Sequence, residues 1–148
     1  YCEKIGKDSC LYYSNLDRIA MSWTEYMGQH SFARNKGLFD RHKNYQIFLK
    51  PDGSFLRTAG FTDTFHEILL ITSFTQDGLV SECSGDFLRG PDQVCYENLA
   101  LLPRLIGKNL AAINKKELAE LVGGPLGCTH LYEMFWDLGR AMTEVIDK

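Results

Sequence analysis

The hydrophobic period of this chain changes once, at Pro91-Asp92, and that change restricts the fold more than any other feature. Upstream, Tyr45, Ile47 and Leu49 alternate with Gln46 and Lys50, the repeat of a half-buried strand. Pro51-Asp52-Gly53 signals a turn, and residues 54–61 return as a second strand. Residues 65–74 are apolar on both faces at Ile68, Leu69, Leu70 and Ile71, which predicts a central strand covered on both sides. Gln76-Asp77-Gly78 turns the chain again, and residues 79–88 run back. Alternation there puts Leu79, Ser81, Cys83, Gly85 and Phe87 on one face and leaves Val80, Glu82, Ser84 and Asp86 to solvent.

Downstream the spacing is helical. Cys95, Leu99, Leu102 and Ile106 make one stripe over about 93–105, with Pro103 expected to kink or end it. A short helix over 115–122 stops at Gly123-Gly124-Pro125. A last helix over about 129–146 buries Leu131, Phe135, Leu138, Met142 and Val145. Strands followed by helices predict an α+β fold: an antiparallel meander of about four strands within residues 31–88, with the C-terminal helices packed on one face.

The chain has 148 residues, the size of one domain. The pattern divides it into an N-terminal extension over 1–30 and a single α+β domain over 31–148. Residues 1–11 are polar and expected to be loose. Residues 12–28 carry Leu16, Ile19, Ala20, Trp23 and Met27 at helical spacing. The net charge is −3 and no basic stripe is present, which argues against nucleic acid as a partner and leaves a protein partner. No apolar run reaches the length of a membrane span, and no secretory leader is visible. Five cysteines in such a chain read as reduced thiols in a cytoplasm, with Cys2 and Cys10 exposed near the end.

Chemistry gathers at three places. Gly127-Cys128-Thr129-His130-Leu131 opens the last helix with a thiol and an imidazole two residues apart. A helix N-terminus carries partial positive charge, which is expected to lower the Cys128 pKa. Cys95 stands near another helix start, on the Leu99/Leu102 stripe, where by itself it reads first as a small core hydrophobe and second as a ligand. Residues 62–67 join two strands and carry Asp63 and His66, either as ligands or as an Asx turn with a histidine at the sheet edge. Together Cys95, Cys128, His130, His66 and Asp63 form a candidate ligand set for zinc or an iron–sulfur cluster. The readings are a metal or cluster carrier module, a non-catalytic interaction domain with structural Cys and His, and a small Cys–His enzyme acting on a thiol or acyl substrate.

In order and spacing, Arg34-Asn35-Lys36, Asp63-Thr64-Phe65-His66-Glu67, the helix with Cys95, Leu105-Ile106-Gly107 and Gly127-Cys128-Thr129-His130-Leu131 resemble the bacterial family called domain of unknown function 2889. The resemblance runs over about residues 31–148, and the Gly-Cys-Thr-His-Leu run is its most specific mark. It implies a class and no activity. The family usually has Asp at the position of Glu67. In topology, a hairpin followed by helices opened by Cys95 and by Cys128 with His130 is similar to the iron–sulfur scaffold proteins. That likeness implies a transient cluster or zinc held by cysteines and a histidine.

Overall fold

The computed structural model describes residues 2–22, 25, 28–29 and 40–146. Four strands form one sheet in the order β1-β2-β3-β4, every neighbouring pair antiparallel. They are β1 His42–Leu49, β2 Phe55–Thr62, β3 Glu67–Phe74 and β4 Val80–Arg89. The two outer hairpins turn at Gly53 and Gly78, whose φ values of 79° and 78° fall in the left-handed region that glycine enters without strain. The expected α+β meander is what the chain forms. The part of it placed at residues 31–39 lies outside the described residues.

One face of the sheet is the core face. Phe61, Ala59, Ile68, Leu70, Phe74 and Phe87 project from it and are buried. The C-terminal elements cover them. Tyr45 Oη in β1 donates to Asp137 Oδ2 at 2.9 Å, and Arg57 in β2 donates from Nη1 to the Leu138 carbonyl at 2.6 Å. Both acceptors lie on the last helix. The opposite face is more open in the middle of β3. Leu69 and Ile71 are 38% and 41% exposed there, so β3 is central in the sheet but not enclosed on both sides. Its apolar run reflects strand propensity at those two positions rather than burial.

The face assignment in β4 also shifts. Ser73 pairs with Glu82 but Phe74 pairs with Val80, so Ser81 is an extra residue in the ladder. A bulge inverts the alternation beyond it. Val80 is therefore buried with Cys83, Gly85 and Phe87 on its side, and Leu79 is outside.

After β4 come α3 Gln93–Tyr96 and a 3₁₀ segment Glu97–Leu105. Asp92 caps α3 by accepting from Val94 N–H. Pro103 donates no N–H, so an α-helical ladder cannot run through it. The chain tightens to a period near three. That replaces the expected stripe: Cys95, Asn98, Leu101, Leu102 and Leu105 are buried, Leu99 is half-buried and Ile106 faces out. Next are α4 Lys115–Val122, capped by Asn114, a 3₁₀ turn Gly124–Leu126 and α5 Thr129–Ile146. Leu131, Phe135, Leu138 and Met142 are buried as expected, joined by Met134. The side chain of Val145 lies outside the described residues.

The N-terminal segment is ordered against this body. It forms α1 Cys2–Gly6, where residues 1–11 were expected to be loose, and α2 Leu11–Ser14, at the start of the stretch 12–28 where a short helix was expected. The expected helical positions Trp23 and Met27 lie outside the described residues. Tyr12 is buried, Leu11 N–H donates to the Gly127 carbonyl at 2.7 Å, and Thr129 Oγ1 donates to the Ser9 carbonyl at 3.1 Å. Among the described residues no helix is long and apolar enough to cross a membrane.

Candidate functional site

The turn between β2 and β3 is built around one carboxylate. Asp63 Oδ1 accepts from the backbone N–H groups of Phe65 and His66 at 2.8 and 2.7 Å, and lies 3.0 Å from His66 Nδ1. Arg89, at the end of β4, fastens the same turn by donating to the carbonyls of Thr64 and Asp63 at 2.6 and 3.0 Å. The two readings of Asp63 are thus compatible. One oxygen makes the Asx turn, and Oδ2 is left to face other groups.

Those groups are His130 and Arg41. His130 Nε2 lies 3.8 Å from Asp63 Oδ2, and Arg41 Nη2 lies 3.9 Å from it. The His130 ring rests 4.0 Å from the His66 ring and 4.8 Å from Phe61, centroid to centroid. On its other side, His130 Nδ1 is 3.8 Å from Cys128 Sγ. Arg41 lies over Phe61 and pairs with Glu133 at 3.3 Å. Asp63, His66 and His130 can each present one ligand atom, and those atoms lie within 4.8 Å of one another.

Cys128 and Cys95 stand beside this trio rather than within it. Both are buried, at 5% and 6% exposure, and both line a cavity of about 340 Å³ that the trio also borders. Glu67, at the start of β3, is opposite Thr62 and Arg89 and outside the trio. Cys10, expected to be exposed at the end of the chain, is half-buried and lines the cavity too, because the N-terminal segment folds back over the start of α5. Arg41, Phe61 and Asn98 were not among the expected site residues. Arg41 sits in the only weakly basic stretch of the sequence, and nothing local singles out the other two.

Burial decides the protonation states. For Asp63 burial opposes ionisation, but the His66 hydrogen bond, the Phe65 N–H and the attraction of His66 outweigh it and hold the carboxyl well below the usual carboxylate range. Burial, reinforced by His66 and Arg41 and opposed by Asp63, pulls His130 down to about 3. Its imidazole is neutral near pH 7 and has an available lone pair. Cys128 behaves opposite to expectation. Its sulfur receives backbone N–H groups of Leu131 and His130, which favour the thiolate, yet burial dominates and pushes the thiol up to about 12. Burial, with Cys128 and Cys10 nearby, pushes Cys95 up to about 12 as well. A helix-terminus field lowers a thiol pKa only where solvent or a counter-charge supports the anion.

These directions make stability acid-sensitive. The unfolded chain takes up a proton on His130 near pH 6.5, which the folded chain refuses until far lower pH. The unfolded state thus binds more protons in that window, and stability falls as pH falls. The loss from His130 should reach up to about 2 kcal/mol between pH 7 and pH 5. Asp63 acts in the same direction below about pH 4, because its carboxylate is stabilised only in the folded state. Urea unfolding at pH 7 and pH 5 measures the effect. His130→Gln should flatten it, and a variant with the wild-type slope would contradict the assignment.

Residues 39–144 match the family described as Protein of unknown function (DUF2889). No curated protein and no solved structure matches the chain, so the likeness to iron–sulfur scaffolds has no support from a known structure.

Proposed function

We propose that this chain, which belongs to the DUF2889 family, binds a single divalent transition-metal ion through Asp63, His66 and His130. The observation that carries the reading is the convergence of those three ligand atoms within 4.8 Å, from the β2–β3 turn and the start of α5. Two imidazoles and a carboxylate suit zinc, and equally the three-ligand face that iron(II) takes in non-haem sites. Three protein ligands leave a coordination position open, and the cavity lies beside them. Such an ion, when bound, acts as a Lewis acid toward a ligand or water.

The chain's own residues prepare the site. Asp63 is ionised, held rigidly by two backbone N–H groups. His130 is neutral, so no proton competes for its lone pair. With Nε2 toward Asp63, its Nδ1–H faces the Cys128 sulfur, which makes Cys128 a positioning residue for the ring. An iron–sulfur cluster fits less well, since it takes thiolates and both Cys95 and Cys128 are stabilised as neutral thiols.

A second reading has one observation in its favour. Cys128 Sγ, His130 and Asp63 follow one another, with both gaps at 3.8 Å, in the order of a nucleophile–base–acid relay. The burial and high pKa of Cys128 weigh against an activated nucleophile.

Metal analysis of the full chain loaded with zinc or, anaerobically, with iron(II) separates the two. The expected result is one ion per chain, with affinity lowered at least about tenfold in His66→Ala and in His130→Ala. Cys128→Ser should retain the ion with a smaller loss, and alkylation of Cys128 by iodoacetamide should be slow. No stoichiometric ion in the wild type, with fast alkylation at Cys128, would replace the metal reading by the thiol one.

A further inference from the structure

The three proposed metal ligands share one cavity with a cation. Asp63, His66, His130 and Arg41 all line the space of about 340 Å³, the small end of ligand pockets. The Arg41 side chain is 44% exposed, so a guest can reach it, and its Nη2 lies 3.9 Å from Asp63 Oδ2, the oxygen left over from the Asx turn. Among the described residues, Arg41 and Asp63 are the charged side chains on this wall. The rest of the accessible wall is mostly apolar. Tyr12, Phe65, Phe87 and Pro91 contribute to it, with the neutral thiols of Cys95 and Cys128.

Charge balance restricts what such a space accepts. Ligation requires a carboxylate and neutral imidazoles, so a divalent ion on Asp63, His66 and His130 leaves one net positive charge. Arg41 adds a second, and Glu133, paired with it at 3.3 Å, cancels that one. The remaining charge lies beside apolar surface, where an uncompensated charge is costly. A monoanion neutralises it. Without the ion the sign reverses, because Asp63 then leaves the same group with one negative charge, which repels an anion. A carboxylate offers two oxygens, one for the open coordination position and one for the planar guanidinium of Arg41. Hydroxide balances the charge too, but it leaves the apolar wall to water. A dianion overshoots the balance.

We infer that the metal-loaded cavity binds a small carboxylic acid as its carboxylate, the head between the ion and Arg41 and an apolar body against the aromatic wall. Arg41 is then a binding residue for the carboxylate. The proposal rests on the metal reading of the same site, whose ion supplies one of the two partners of the carboxylate.

Calorimetric titration of the full chain, loaded with one equivalent of zinc or iron(II), with benzoate, benzamide and acetate tests it. Benzoate should bind saturably and at least about tenfold tighter than benzamide, which has its shape without its charge. It should also bind at least about tenfold tighter than acetate, which lacks the apolar body. The metal-free chain should bind benzoate at least about tenfold more weakly, and by linkage saturating benzoate should raise metal affinity by the same factor. Arg41→Gln should keep its metal and lose about tenfold in benzoate affinity, with benzamide unchanged. Should Arg41→Gln fail to fold, benzoate against benzamide on the wild type decides. Equal affinity for those two probes, or no saturable benzoate binding by a chain holding one ion, would overturn the inference and leave the metal site standing. So would benzoate binding that is the same with and without the ion. A chain that holds neither zinc nor iron(II) would overturn the metal reading and this inference with it.

Discussion

Leu138→Ala should lower folding stability by about 2–5 kcal/mol, from lost transfer energy plus the cavity left behind. Leu138 is fully buried on the core face of α5, in the stripe with Leu131, Phe135 and Met142. Relaxation into the gap is restricted at this point. A Cβ on the neighbouring Gly139 would overlap the Leu110 carbonyl, so the two backbones already touch and α5 cannot move inward. The Leu138 carbonyl also anchors the fully buried Arg57 at 2.6 Å. That bond survives truncation of the side chain, so the loss measures packing. Burial lowers Arg57 only to about 10, so its guanidinium stays charged and α5 stays tied to β2. In a chain of this size the loss corresponds to a fall in Tm of roughly 5–20 °C. Leu138→Met, which conserves volume, should cost less than about 1.5 kcal/mol. A loss below about 0.5 kcal/mol in the alanine variant would mean that the position behaves as surface.

Gly127→Ala is expected to be nearly as damaging, for a backbone reason. A Cβ there would overlap the carbonyl oxygens of Val122 and Gly123. The chain crosses the end of α4 at this point, with Cys128 N–H donating to the Val122 carbonyl at 2.8 Å and the Gly127 carbonyl receiving Leu11 N–H. Carbonyl groups cannot rotate aside as a side-chain tip can, so the cost should reach about 3 kcal/mol, the upper end for overpacking. The displacement falls directly on Cys128 and His130, so metal affinity should drop with stability. Calorimetric unfolding beside zinc titration reads both. A variant with wild-type Tm and wild-type zinc affinity would show that no close approach constrains Gly127.

The same glycine shows how far the sequence could be read. The helix start it precedes was plain from Gly123-Gly124-Pro125 and the apolar stripe of α5, and α4 and α5 fall where their spacing placed them. The meander was equally plain, since turn residues flank runs of alternation. What failed were assignments that depend on one residue of phase or on the type of helix. The extra Ser81 in β4 inverts the faces beyond it, and nothing local announces a bulge. The 3₁₀ course of Glu97–Leu105 exchanges Leu99 and Ile106 for Asn98, Leu101 and Leu105, and brings Asn98 to the cavity. Asn98 could not have been singled out from a stripe drawn at 3.6 residues per turn.

For the site, local sequence identified the groups and tertiary structure chose among them. Periodicity and turn chemistry act over a few residues, so the sequence by itself determined the elements, their order and the presence of Asp63, His66, Cys95, Cys128 and His130 near element ends. Distances between those ends are set by how α5 lies across β2 and how the N-terminal segment folds back, which depends on the packed core as a whole. That packing brought Asp63, His66 and His130 within 4.8 Å and left Cys95 and Cys128 alongside, on a cavity that also takes in Cys10. It also decided the charges. The sequence placed Cys128 in a field that favours the thiolate, but its pKa is governed by desolvation, a property of the folded interior that no local pattern encodes.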